Sequence, residues 1–244
     1  MRWLLTPPSS EDFARLLKAW RFWVLGSLVG ALIGTAAYYL FPPAYRGQAT
    51  VVVDFNLEQA WPQETDRQLF YYLERETRKL VEVAWSDATM EIVATKVGDV
   101  PVGELRSGKL LLSQPGEGGW HFWADDEDPA RAAKLAATWA EAFGEQVQSG
   151  VSVAVQLADL YTLMETQTNF QPDNTLEGKI QELEGKSLGI SPYIQVSASQ
   201  TRNIPIHRKI GMGTYILAGG MITLVFGAFW IFFTGSKEIS HAAK

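Results

Sequence analysis

The chain has no cysteine among its 244 residues. That excludes disulfides, thiolate zinc ligands and a cysteine nucleophile. Histidine is nearly as scarce: His121, His207 and His241 are the only three, far apart and in no ligand spacing such as HExxH. There is no GxxxxGK[ST] phosphate loop and no GxSxG elbow, so neither P-loop nor nucleophile-elbow chemistry has an anchor. Acids outnumber bases, 27 to 21, for a net charge of -6. A general nucleic-acid binder is usually basic, so no nucleic-acid partner is expected. No catalytic residue, cofactor or metal site can be named, and the chain is expected not to be an enzyme.

Charge is also missing from two long stretches. Residues 22–41, "FWVLGSLVGALIGTAAYYLF", and 211–233, "GMGTYILAGGMITLVFGAFWIFF", contain none. Each is long enough to cross roughly 30 Å of hydrocarbon as a helix. Trp20, Trp23, Tyr38 and Tyr39 sit near the ends of the first, where interfacial aromatics are expected. A cleaved signal peptide is the rival for the first stretch, with small residues near Ala36. Its apolar run, however, exceeds the roughly 7–15 residues of such a segment. The expected organisation is a cytoplasmic tail at 1–21, a span at 22–41, an extracytoplasmic domain at 42–210, a span at 211–233 and a cytoplasmic tail at 234–244. The tails carry Arg2, Arg15, Lys18, Arg21, Lys237 and Lys244 against Glu11, Asp12 and Glu238. Basic flanks stay in the cytoplasm, so a two-pass membrane protein with both termini inside is expected. Arg208 and Lys209 flank the second span on the other side, a minor conflict.

Both spans carry small residues four apart. Gly26, Gly30 and Gly34 form GxxxGxxxG, and Gly219, Thr223 and Gly227 a looser version. Such strips let another helix approach closely. The partner is left open among the other span, another copy and a foreign protein.

Between the spans the pattern alternates strand and helix. "GQATVVVDF", 47–55, reads as a strand. Residues 62–97 read as helical, with Leu69, Tyr72, Leu73, Leu80, Val83 and Ala84 at helical spacing and Glu74 and Arg78 as an i,i+4 pair. A turn at Pro101 leads to "GKLLLSQ", 108–114, and "GWHFWAD", 119–125, joined by "PGEG" as a hairpin. Asp128 and Pro129 then start a helix: the Asp caps free N–H groups and Pro fits the first position. Leu135, Trp139, Phe143 and Val147 form its apolar stripe, continuing through Val151, Ala154, Ala158 and Tyr161 to about Thr168. After "NFQPDNT" comes a helix at about 176–188 with the pair Glu182 and Lys186, and then a strand, "YIQVSASQ", 193–200. The expected fold class is α/β (α+β), in the order β-α-β-β-α-α-β, between two transmembrane helices.

Other residues receive plainer readings. Asp125, Asp126, Glu127 and Asp128 read as a solvated helix cap, because consecutive acids diverge and lack calcium-loop spacing. His121 falls on one strand face. Arg46 beside Tyr45 reads as a membrane-surface anchor. The nine Trp residues read mainly as core or interfacial, although an exposed one could stack on a sugar ring.

Three sequence segments carry a resemblance. They are "PPAYRGQATVVV" after the first span, "HFWADDEDPARAAKLAATWAEAF" at the capped helix, and "VSASQTRNIPIHRK" before the second span, with Pro205 as its proline. Together with the layout they resemble the polysaccharide co-polymerase, or chain-length determinant, family, in its short form without a kinase domain. The segment before the second span has fewer prolines than is usual there, and the final "GSKEISHAAK" has no tyrosine. The resemblance implies a non-enzymatic, homo-oligomeric regulator of surface polysaccharide length. O-antigen, capsule and exopolysaccharide all remain open as the polymer. The implied partners are a membrane polysaccharide polymerase and the lipid bilayer. The alternatives are an adaptor that activates a separate cytoplasmic tyrosine kinase in polysaccharide export, and a structural subunit of an unrelated membrane complex.

Overall fold

The computed structural model describes residues 20–60, 66–98, 100–113, 119–166, 174–200 and 203–241. The tail before Trp20, the "PGEG" turn and most of the "NFQPDNT" break lie outside the described residues. In chain order the elements are α1 (Trp20–Leu40), β1 (Tyr45–Asp54), α2 (Leu57–Ala60), α3 (Asp66–Ala84), α4 (Asp87–Val97), α5 (Val102–Glu104), β2 (Leu110–Leu112), β3 (Gly119–Asp126), α6 (Pro129–Thr166), α7 (Asn174–Lys186), β4 (Gln195–Gln200), β5 (Ile206–Arg208) and α8 (Met212–His241). They form two compact units, residues 1–43 with 208–244 and residues 44–207.

The first unit is a pair of apolar helices, α1 and α8. Both are long and apolar enough to cross a membrane, over Trp20–Leu40 and Met212–Trp230. Their large side chains point outward: Leu25, Leu28, Leu32, Leu217, Phe226 and Phe229 are all exposed. In water that would be costly at about 25 cal/mol per Å2, whereas lipid tails solvate the same surface.

The second unit is a mixed helix and antiparallel-sheet domain. The sheet order is β2-β3-β1-β4, and β5 also pairs with β1. β3 lies antiparallel on one side of β1, with Gly47 opposite Ala124 and Val51 opposite Trp120. β4 lies antiparallel on the other side, and its register with β1 shifts between Thr50 and Val51. The Gln48 N–H donates to the Pro205 carbonyl at 3.3 Å, so the stretch leading into β5 runs beside the start of β1.

Strand alternation separates the two sheet faces. Ala49, Val51 and Val53 of β1 and Trp120, Phe122 and Ala124 of β3 are buried. α6 covers this face with Leu135, Trp139, Phe143 and Val147, none of which is exposed. The stripe expected on α6 holds as far as Ala154; Ala158 and Tyr161 are exposed, and the Tyr161 hydroxyl donates to Glu184 of α7 at 2.7 Å. Aromatic rings lock the centre. Phe122 meets Trp139 edge-on at 4.9 Å, Trp120 stacks on Phe143 at 5.6 Å, and the Trp139 Nε1–H donates to the Ala84 carbonyl at 2.8 Å. Gly47 sits where α6 crosses: a Cβ there would stand 2.7 Å from the Ala132 carbonyl oxygen, so a side chain would push the helix off the sheet.

The continuous helix expected over 62–97 is two helices. α3 ends at Ala84, and Ser86 caps α4 by accepting from the Thr89 N–H at 3.2 Å. The strand expected at 108–114 shrinks to β2, because a short helical turn at α5 and a π turn at Leu105–Lys109 occupy the residues before it.

Candidate functional site

The small-residue strips of the two apolar helices meet each other. Gly30 and Gly34 are buried. A methyl on Gly30 would run into the Thr223 Oγ1 and the Gly219 carbonyl, one on Gly34 into the Tyr215 carbonyl, and one on Gly219 into the Gly30 carbonyl. Positions rise along α1 as they fall along α8, so the helices are antiparallel. The Thr223 hydroxyl donates across the pair to the Gly26 carbonyl at 2.9 Å, and it also lies near the carbonyls of Gly219 and Gly220 on its own helix. Gly26 itself has open space where a Cβ would stand, and Gly227 lies against the Phe22 and Trp23 rings. Of the three partners left open by the sequence, the structure gives this face to the other span. The face works by backbone approach plus one shared hydroxyl, a bond class of about 0.6 kcal/mol on average in membranes.

The acids at 125–128 do four different things, which corrects their reading as one solvated cap. Asp125 and Asp126 belong to β3 and point to opposite faces. Asp125 holds the Arg46 guanidinium through two bonds, Nε to Oδ1 at 2.6 Å and Nη2 to Oδ2 at 2.8 Å. This bidentate pair and its charge raise the Arg46 pKa above its ordinary value against the opposing effect of burial. Asp126 is buried and accepts from the Lys109 ammonium at 2.8 Å and from the Asp128 N–H at 3.1 Å, with Arg131 at 3.8 Å. Burial alone would push the Asp126 carboxyl up. These donors and charges outweigh it and hold the pKa below the usual carboxylate value. Glu127 is exposed. Asp128 alone caps α6, accepting from the Ala130 N–H at 3.1 Å, with Pro129 at the first helical position.

Arg46 is therefore tied down at the sheet rather than acting as a free-standing anchor. On the sheet face opposite α6 it lies 5.6 Å over the Trp123 ring, and the His121 ring stands nearly parallel to Trp123 at 6.3 Å. His121 Nδ1 is 3.0 Å from the Thr50 Oγ1 and 3.2 Å from the Gln48 Nε2. These side chains form a self-paired polar strip across β1 and β3.

A second polar anchor escaped the sequence reading. Glu76 is 1% exposed and accepts from Lys79 at 2.9 Å and from the Ser191 N–H at 3.0 Å. The Tyr72 hydroxyl reaches the Ser191 Oγ at 2.9 Å, and Lys79 also bonds the Gly189 carbonyl. Leu188 and Gly189 both have positive φ here, 56° and 64°, so the carboxylate and its ammonium pin a tight turn onto α3. The available signal was position: Glu76 falls midway in the four-spaced row Tyr72, Glu76, Leu80 on the buried face.

Among the described residues, no group of three or more His, Asp or Glu converges in a way that could hold a metal ion. No known protein-family model matches the chain, and a comparison with curated proteins finds no match.

Proposed function

We propose that the chain is a non-enzymatic, two-span membrane protein that sets the length of a surface polysaccharide. In this reading α1 and α8 cross the cytoplasmic membrane, both tails lie inside, and residues 42–210 form an extracytoplasmic domain. Copies of the chain assemble with one another and act beside a membrane polysaccharide polymerase. The observation that carries the reading is the insertion of one mixed helix and antiparallel-sheet domain between two apolar helices. The strand entering the domain, β1, pairs with the strand leaving it, β5. The sequence resemblance through "PPAYRGQATVVV" and the Asp128-Pro129 helix start supplies the polysaccharide context.

The test is a surface-glycan ladder on a gel, from a deletion strain and its complemented parent. Loss of a preferred length, restored by the gene, supports the proposal. Complete loss of polymer points instead to a role in export, including activation of a separate kinase. An unchanged ladder removes the chain from polysaccharide length control.

A further inference from the structure

The residues just before α8 include Arg208 and Lys209. The Arg208 guanidinium carbon lies 4.8 Å from the centre of the Tyr38 ring. That ring meets Tyr215 edge-on at 5.5 Å and Tyr39 at 5.6 Å. All of these residues belong to the helical unit. Tyr38 is in the last turn of α1 and Tyr215 in the first turn of α8, so the cluster sits at one end of the helical pair. For helices that span, this end is at headgroup depth, where tyrosines are enriched. The guanidinium is carried on a stack of rings bridging the two helices, which restricts its rotamers before any ligand arrives.

Neither Trp20–Leu40 nor Met212–Trp230 contains an acidic residue. The chain also places these two cations at the end of the spans opposite its basic tails, against the usual bias. A planar guanidinium offers paired N–H donors that match two oxygens of a phosphate, and an adjacent ammonium adds a point charge. We propose that Arg208 and Lys209, with Arg208 positioned by Tyr38 and Tyr215, hold the phosphodiester of an anionic glycerophospholipid at this end of the helical pair. The inference rests on the two-span reading and not on the polysaccharide one.

The experiment uses the full chain in mixed micelles of phosphatidylglycerol and phosphatidylcholine, with retained lipids counted by native mass spectrometry. Wild type is expected to retain phosphatidylglycerol over phosphatidylcholine by about fivefold, the scale of one basic residue near an anionic surface. Arg208→Gln should remove most of that preference and Lys209→Gln part of it. Lys186→Gln, in the 44–207 unit and paired there with Glu182, should leave it unchanged. Lys209 is not part of the ring stack, so its variant guards against misfolding of Arg208→Gln. Equal retention of the two lipids by wild type, or undiminished preference in both variants, overturns the proposal. Loss of the preference on adding inorganic phosphate overturns the lipid as the source of the phosphate. Release of the chain from membranes by carbonate washing overturns the two-span reading itself, a result separable from the others.

Discussion

Glu76 and Asp126 show how a charged residue becomes structural. Each is buried, and each has its charge met by an ammonium and at least one backbone N–H. Removing one partner of such a group leaves the others desolvated and unsatisfied, which costs more than the bond itself contributes. Glu76→Ala should therefore destabilise the domain by about 3 kcal/mol, and Glu76→Gln by less because it keeps an acceptor for the Ser191 N–H. The shift of the thermal unfolding midpoint of the detergent-solubilised chain measures both. Asp126 adds a pH dependence. Its folded pKa lies below the ordinary carboxylate value, so its contribution is complete above the unfolded pKa of about 4 and is lost as pH falls through the folded pKa. Asp126→Asn should flatten the loss of stability below about pH 4 and lower stability at neutral pH by about 2 kcal/mol. Unfolding midpoints measured across that range should run parallel to wild type if the pair with Lys109 contributes nothing.

At the level of elements, the spans and α6 were legible because their signals are dense. An uncharged run of 20 residues or an Asp-Pro start followed by a four-spaced apolar row leaves few competing structures. The α3–α4 break is not legible because only Trp85 and Ser86 interrupt an otherwise helical composition, and a single serine signals a cap only once its bond to the Thr89 N–H is seen. β2 was overextended because the glycine and lysine before it look strand-compatible, yet they close a π turn. The separate roles of the acids at 125–128 are not legible in sequence, because only pairing between strands sets Asp125 against Arg46, 79 positions away. Glycine register marks a packing face but not its partner: only the structure sets Gly30 and Gly34 of α1 against Tyr215, Gly219 and Thr223 of α8. Gly30→Leu should force the helices apart, since the obstructing atoms include the Gly219 backbone carbonyl and not only a flexible side chain. The expected result is a lower unfolding midpoint in micelles, with Gly26→Leu much milder because its Cβ position is open. Equal effects of the two substitutions would remove the helix–helix face as the cause. Trp139→Phe tests the core in the same way. It keeps the ring contacts but drops the bond to the Ala84 carbonyl, and a cost of about 1–3 kcal/mol is expected from the orphaned carbonyl and the lost volume.

For the whole molecule, the absence of cysteine turns topology into a simple measurement. A single cysteine placed at Ser152, exposed on α6, or at Ser236 in the tail is the only thiol in its chain. With basic tails inside, the thiol at 152 should react with an impermeant maleimide in intact cells, and the one at 236 only after lysis. The reverse pattern would invert the orientation proposed here, and labelling of both in intact cells would exclude two crossings.

The pairing of β1 with β5 has a further consequence. The residues at which the domain chain starts and stops lie on two strands paired with each other, so the 44–207 unit has the layout of a cassette: its ends can be joined by a short linker, or grafted into a loop of another protein, without stretching the fold between them.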